Sequence, residues 1–171
     1  MINLPQLLES RDRRAAHQRE LLEAYPACSL VCLTVQLPGS VKRNANSLLI
    51  GGAGLEALLN RFGSVLRHVQ VKDLETGYEA YLAVNLPPRM VKTLCCEIED
   101  THPLGRLMDI DVAGMDRAAI GRPARRCLLC DNEVRYCMRA KTHSTEELLA
   151  RMDEMINKFT NDLQTSHSGR D

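Results

Sequence analysis

On either side of Glu75-Thr76-Gly77, the segments Val65–Val71 and Tyr78–Val84 alternate apolar and polar residues. That period of two predicts paired strands joined by a tight turn, so the fold has to be arranged around a sheet. Two further strands are expected. Ser29–Leu37 is rich in β-formers and closes on Pro38-Gly39, and Leu107–Val112 ends at Ala113-Gly114. The segments between them have helical character. Leu4–Tyr25 carries Leu4, Leu7, Leu8, Ala15 and Leu22 at helical spacings, with Arg11, Arg13, Arg14 and Arg19 interspersed, and Pro26 stops it. Leu48–Arg61 reads as helix despite Gly51, Gly52 and Gly54, each of which costs about 1 kcal/mol against Ala in a helix interior. Pro87-Pro88 opens another helix that runs to about Asp100. The final helix has the clearest face, with Leu148, Leu149, Met152, Met155, Ile156 and Phe159, and Ser144 and Glu147 at capping-box spacing. It is expected over 144–162, with a frayed polar end.

No repeat or low-complexity linker divides the 171 residues, which suit one domain able to bury its own core. The expectation is therefore a single α+β domain over 1–171, with a mixed sheet and flanking helices. Hydrophobic residues at 44% and charged residues at 26% are ordinary for a globular chain and argue against long disorder. A formal net charge of zero supplies no global field for nucleic acid or membrane. No apolar run reaches the ~18 residues of a membrane span, and Met1-Ile2-Asn3-Leu4-Pro5 lacks a signal peptide's basic start and apolar core. A cytoplasmic location is expected, with neither nucleic acid nor membrane as partner. Seven cysteines in a reducing compartment do not make a disulfide framework. Cys28, Cys32, Cys95 and Cys96 lie in apolar stretches and read as small core residues.

Chemistry concentrates after residue 100. In Asp109-Ile110-Asp111 the period of two puts both carboxylates on one face of a strand, opposite Met108, Ile110 and Val112. Two like charges on one face repel, and a hard divalent ion such as Mg²⁺ resolves the conflict by taking both together with substrate phosphates. A solvated strand face is the plainer alternative. His102-Pro103-Leu104-Gly105-Arg106 leads into this strand, and brings an imidazole and a guanidinium toward the acids. His102 reads as general base, as a helix cap, or as a donor to phosphate. Between 117 and 141, Arg117, Arg122, Arg125, Arg126, Arg135, Arg139 and Lys141 face only Asp131 and Glu133 in sequence. Such a cluster suits a polyphosphate, because guanidinium forks match its oxygens, or else an acidic protein partner.

The Cys/Arg-rich segment 117–143 also holds Cys127, Cys130, Cys137 and His143. The set is a structural Cys₃His zinc site, or reduced thiols that pack or touch ligand, or a redox C-x-x-C pair. Gly52-Ala-Gly54-Leu-Glu-Ala57, with Asp73 further on, superficially fits a dinucleotide fingerprint, but tight helix packing or a loop is the better reading.

Two blocks taken together resemble one family. They are His102-Pro-Leu-Gly-Arg-Leu-Met-Asp-Ile-Asp-Val112, and Pro123-Ala-Arg-Arg-Cys-Leu-Leu-Cys130 continuing through Cys137, Arg139 and Lys141-Thr142-His143. The family is the holo-acyl-carrier-protein synthases of citrate lyase, the apo-citrate lyase phosphoribosyl-dephospho-CoA transferases. A weaker similarity reaches the N-terminal helix, the first strand, Pro38-Gly39 and Lys42. The resemblance implies transfer from triphosphoribosyl-dephospho-CoA to a serine of the acyl carrier (gamma) subunit of citrate lyase, with pyrophosphate released. It implies Asp109 and Asp111 as Mg²⁺ ligands and catalytic residues beside His102 and Arg106. Lys42, Gly105, Arg122, Arg125, Arg126, Arg139 and Lys141 would bind substrate. It also implies a nucleotidyltransferase-like core, although such fingerprints place Gly-Ser well before the acids, where this chain has Gly105-Arg106 close by. The same transfer to a malonate decarboxylase carrier and a non-catalytic zinc adaptor are the competing readings.

Overall fold

The computed structural model describes residues 3–35 and 37–168, in two compact units, one ending at Arg122 and one beginning at Pro123. The larger unit contains α1 (Leu4–Ala24), β1 (Ser29–Val35), α2 (Ala45–Phe62), β2 (Leu66–Leu74), β3 (Gly77–Val84), α3 (Pro88–Thr101) and β4 (Met108–Val112). The class is α+β, as expected, and the hairpin around Glu75-Thr76-Gly77 is β2–β3. Gln36, within the expected first strand, lies outside the described residues. Strand order is β2-β3-β1-β4, and every pairing is antiparallel. The sheet is therefore not mixed. β3 and β4 run the same way and α3 joins them, but β1 is inserted between them, so this split crossover never forms a parallel pair.

The two sheet faces have opposite characters. Val31, Leu33, Ala80, Leu82, Val84, Met108, Ile110 and Val112 form a buried apolar face, covered by α2 and α3. Gly51 is needed there, because a Cβ would come within 2.4 Å of the Tyr78 ring, and one at Gly54 would meet Leu33 and Met108 at 3.0 and 3.1 Å. Gly51 and Gly54 thus serve tight helix–sheet packing, the reading preferred over a dinucleotide fingerprint, while a Cβ at Gly52 would meet nothing within 4 Å.

The opposite face is polar. Cross-strand register lines up Gln70, Tyr81, Cys32 and Asp111 in one row, and Lys72, Glu79, Thr34 and Asp109 in the next. α1 lies on this face, which overturns the expected apolar stripe. Leu4, Leu8 and Leu22 are exposed, whereas Ser10 and Leu21 are buried. The physical reason is the polar floor beneath. Ser10 donates to the Thr76 hydroxyl at 3.0 Å, Arg14 pairs with Glu79 at 2.8 Å, and His17 Nε2 hydrogen-bonds Gln70 Oε1 at 2.6 Å.

The smaller unit contains α4 (Val134–Ala140) and α5 (Thr145–Ser168). The capping box is present, with Ser144 N–H donating to Glu147 at 2.8 Å and Glu147 N–H to Ser144 Oγ at 3.1 Å. α5 continues to Ser168, past the expected end at 162. Of its predicted face, Met152 and Ile156 are buried, but Leu149 is exposed. No helix among the described residues is long and apolar enough to cross a membrane.

Candidate functional site

Asp109 and Asp111 share a face of β4 as the alternation requires. Asp109 is half-buried and the Asp111 side chain is 73% exposed, while Met108, Ile110 and Val112 are buried. β4 is an edge strand, paired with β1 on one side and held on the other by side chains of α3. The Glu99 carboxylate accepts the Ile110 N–H at 2.9 Å, and the Lys92 amine donates to the Ile110 carbonyl at 2.8 Å. Both side chains are buried, and Lys92 Nζ also reaches Asp111 at 3.9 Å. Ile110, the residue between the acids, is thus clamped through both of its backbone groups. Met108 N–H bonds to Gly105 O, and Met115 N–H to Val112 O at 3.1 Å.

Lys92 and Glu99 were not singled out in the sequence. The signal was there: α3 buries Val91, Cys95, Cys96 and Ile98, and these two charges stand a heptad apart on that same face. Arg14 and Glu79 were missed as well. Glu79 is buried and accepts from Arg14 Nε at 2.9 Å and, in a short hydrogen bond, from the Tyr81 hydroxyl. Burial, reinforced by that bond to Glu79, raises the Tyr81 pKa, and burial pushes the Cys32 thiol up to about 12. Cys32, which stands opposite Asp111 in the register, is thus a neutral group beside that acid. Of the expected core thiols, Cys32, Cys95 and Cys96 are buried but Cys28 is only half-buried. Cys28 lines a cavity of about 460 Å³ with Leu22, Pro26, Leu86, Pro88 and Ala113.

The expected substrate contacts in this unit have structural partners. Arg117 bridges Glu99 at 2.8 Å and Asp100 at 3.0 Å, and Arg122 pairs with Asp100 at 3.0 Å. Counting charge along 117–141 therefore overstates the local excess, because α3 supplies carboxylates from outside that window. Lys42 donates to Leu37 O, and burial lowers its pKa. Gly105 is buried at the start of the 3-10 turn Gly105–Leu107, and Arg106 beside it is exposed.

His102 is the C-cap of α3. Its N–H bonds to Ile98 O at 2.9 Å, and its Nδ1 accepts the Leu104 N–H at 3.0 Å. Burial lowers the imidazole pKa, with a smaller opposing effect of Glu56 on α2. α2 packs on the Met108 side of the sheet, the face opposite the two acids.

In the smaller unit the donor atoms of Cys127, Cys130, Cys137 and His143 all lie within 4.8 Å of one another. Cys130 Sγ is 3.5 Å from Cys137 Sγ and 3.4 Å from His143 Nε2. The local chain explains the convergence. Cys127 N–H bonds to Asn132 O at 2.7 Å and Val134 N–H to Arg125 O at 2.9 Å, which closes a turn carrying the first two cysteines. α4 then presents Cys137. Lys141, at φ 48°, is the one non-glycine residue in the left-handed region among those described, and it ends α4 so that the chain returns with His143. Such a four-member set can hold a metal ion. Arg126 pairs with Asp131 at 3.4 Å, Arg125 is half-buried, and Arg139 and Lys141 are exposed.

Residues 2–159 match the family model of apo-citrate lyase phosphoribosyl-dephospho-CoA transferase. A protein of Vibrio cholerae serotype O1 named a probable transferase of this kind is 38% identical over 168 positions, covering 93% of this chain and 94% of that protein. The Citrobacter koseri transferase is 37% identical over 174 positions, covering 97% and 92%. A probable one of Streptococcus pyogenes serotype M18 is 32% identical over 179 positions, covering 99% and 93%. By a model that takes in nearly its whole length, and by relatives of its own size, the chain belongs to the apo-citrate lyase phosphoribosyl-dephospho-CoA transferase family.

Proposed function

We propose that this protein transfers the phosphoribosyl-dephospho-CoA group from triphosphoribosyl-dephospho-CoA to a serine of the citrate lyase acyl carrier subunit. The observation that carries this reading, within the family, is the pair of acids on one accessible face of a strand clamped between them. The serine oxygen attacks the α-phosphate, a phosphodiester forms, and the bond to pyrophosphate breaks. Asp109 and Asp111 would hold Mg²⁺, which when bound offsets phosphate charge. The donor set fits that ion: two carboxylates on one face, one of them mostly exposed, have room for water and phosphate oxygens beside them. Arg106 is assigned to the phosphates, and Arg125, Arg126 and Arg139 of the smaller unit to anionic groups, those of an acidic carrier included. The soft donors of the Cys/His cluster suit zinc. The names of the relatives favour the citrate lyase carrier over that of malonate decarboxylase.

Incubation with apo-carrier, triphosphoribosyl-dephospho-CoA and Mg²⁺ should raise the carrier mass by one prosthetic group, and an apo-carrier of malonate decarboxylase should be modified more slowly. An unchanged mass for the citrate lyase carrier would overturn the proposal.

His102 is assigned a donor role. Since Nδ1 accepts the Leu104 N–H, the neutral ring carries its proton on Nε2, which can give a hydrogen bond but not take a proton. His102→Gln keeps an N–H donor and should hold single-turnover transfer within about tenfold of wild type, whereas removing a general base costs about 10²–10⁴. A loss of that larger size, together with disappearance of the acidic limb of the pH–rate profile, would restore the base role. The lowered pKa also has a sign for stability. The unfolded chain binds the proton more readily, so this contribution is complete above pH ~6.5 and is lost as pH falls toward the folded value.

A further inference from the structure

We infer that Cys127, Cys130, Cys137 and His143 form a closed, four-coordinate zinc site whose role is to fold residues 123–143. The inference does not rest on the transfer reading. Three thiols and an imidazole make a borderline-soft donor set that selects Zn²⁺ over Mg²⁺ or Ca²⁺. Their separations suit one small tetrahedral ion: Zn–S bonds of about 2.3 Å place sulfurs about 3.8 Å apart, against 3.5 Å between Cys130 and Cys137 and at most 4.8 Å across the set. Four protein ligands complete a tetrahedron and leave no position for substrate or water, so the site is structural, not catalytic.

The surrounding chain makes the same demand. Among the described residues from Pro123 onward, the buried ones are Cys127, Cys137, Met152 and Ile156. Two of these four are ligands of the cluster, and a segment with so thin a core needs a staple. Two features of the backbone also fit. The turn Arg125–Val134 is closed by its own hydrogen bonds, and left-handed Lys141 accepts strain of roughly 1–2 kcal/mol where the chain reverses toward His143. A redox pair fits less well, because Cys137 and His143 converge on the same point as Cys127 and Cys130, a four-donor arrangement that a two-thiol couple does not require.

The test uses the full chain, purified without chelator from zinc-supplemented culture. Elemental analysis should find close to one zinc per chain, and a mercurial thiol reagent should release it in the presence of a zinc chromophore. Co²⁺ exchanged into the site should give the intense ligand-field bands of a tetrahedral thiolate centre. Cys130→Ser should lose the zinc and open the amides of 123–143 to hydrogen exchange, with the amides of the sheet unchanged. His143→Cys, which keeps a four-ligand set, should retain both metal and protection. A folded, zinc-free chain with all three thiols reactive would overturn the inference. So would loss of protection in Cys130→Ser with zinc still bound. None of these readouts is carrier modification, so the site can fail while the transfer reading stands, and the reverse.

Discussion

Asp109→Asn and Asp111→Asn each lower single-turnover transfer by about 10³-fold, the scale of losing a principal stabiliser of developing charge, while thermal unfolding stays near that of wild type. The stability half of this expectation follows from exposure. The Asp111 side chain is 73% exposed, and its approach to Lys92 is only 3.9 Å, so the pair contributes well under ~1 kcal/mol. The Lys92 amine keeps its bond to the Ile110 carbonyl when Asp111 becomes neutral. The rate half follows from chemistry. An amide matches the shape of a carboxylate but brings no charge to a divalent ion, so the phosphates lose their counter-charge without any change in the strand. Carrier mass spectrometry in a quench series gives the rates, and circular dichroism gives the melts. Both variants turning over near the wild-type rate would remove these residues from the reaction.

Gly105→Ala should be the most destabilising single-methyl change in the larger unit. A Cβ at Gly105 would lie 2.4 Å from Glu99 O and 2.6 Å from Ile98 O. Both are backbone atoms in the last turn of α3 and cannot swing aside as a side chain does. Overpacking of this kind costs about 3 kcal/mol, which lowers the melting temperature by about 10 °C for a unit of this size. The displaced segment is also the one that sets Met108 and the start of β4, so transfer should fall with stability. Gly52→Ala is the control. It sits in α2 with nothing within 4 Å of the added carbon, and should be neutral or raise stability by up to ~1 kcal/mol. A Gly105→Ala protein that melts with wild type would show that the turn relaxes freely.

Most of the elements were legible because punctuation and period agree. Pro26, Pro87-Pro88 and the Ser144–Glu147 box fix helix limits, and alternation fixes β2, β3 and β4. The acid pair was legible for the same reason, since period two alone puts Asp109 and Asp111 on one side. The buried face of α1 was not. Hydrophobic periodicity assumes that a helix packs by apolar contact, and α1 packs Ser10, Arg14 and His17 on a polar floor. Lys92 and Glu99 escaped for a related reason, because charged residues inside an apolar stripe look like its boundary, not its working part. α4 spans only Val134–Ala140, too short for a period to declare itself. Sequence could collect the basic residues of 117–141, but it could not show that Asp100 and Glu99 already engage Arg117 and Arg122.

The clamp on Ile110 has a bearing on how a partner can approach. Along the outer edge of β4, Met108 N–H is taken by Gly105, the Ile110 N–H and C=O by Glu99 and Lys92, and the Val112 C=O by Met115. Lone edge strands recruit other chains through such groups, into cross-chain sheets and finally fibrils. Here four of those groups are bonded from within, so the strand bearing the acids stands at the rim of the sheet with much of that template already occupied. The same bonds oppose docking of a carrier segment as an added strand at this edge. In the proposed reaction the acceptor serine therefore approaches Asp109 and Asp111 across the side-chain face of the strand, not along its edge.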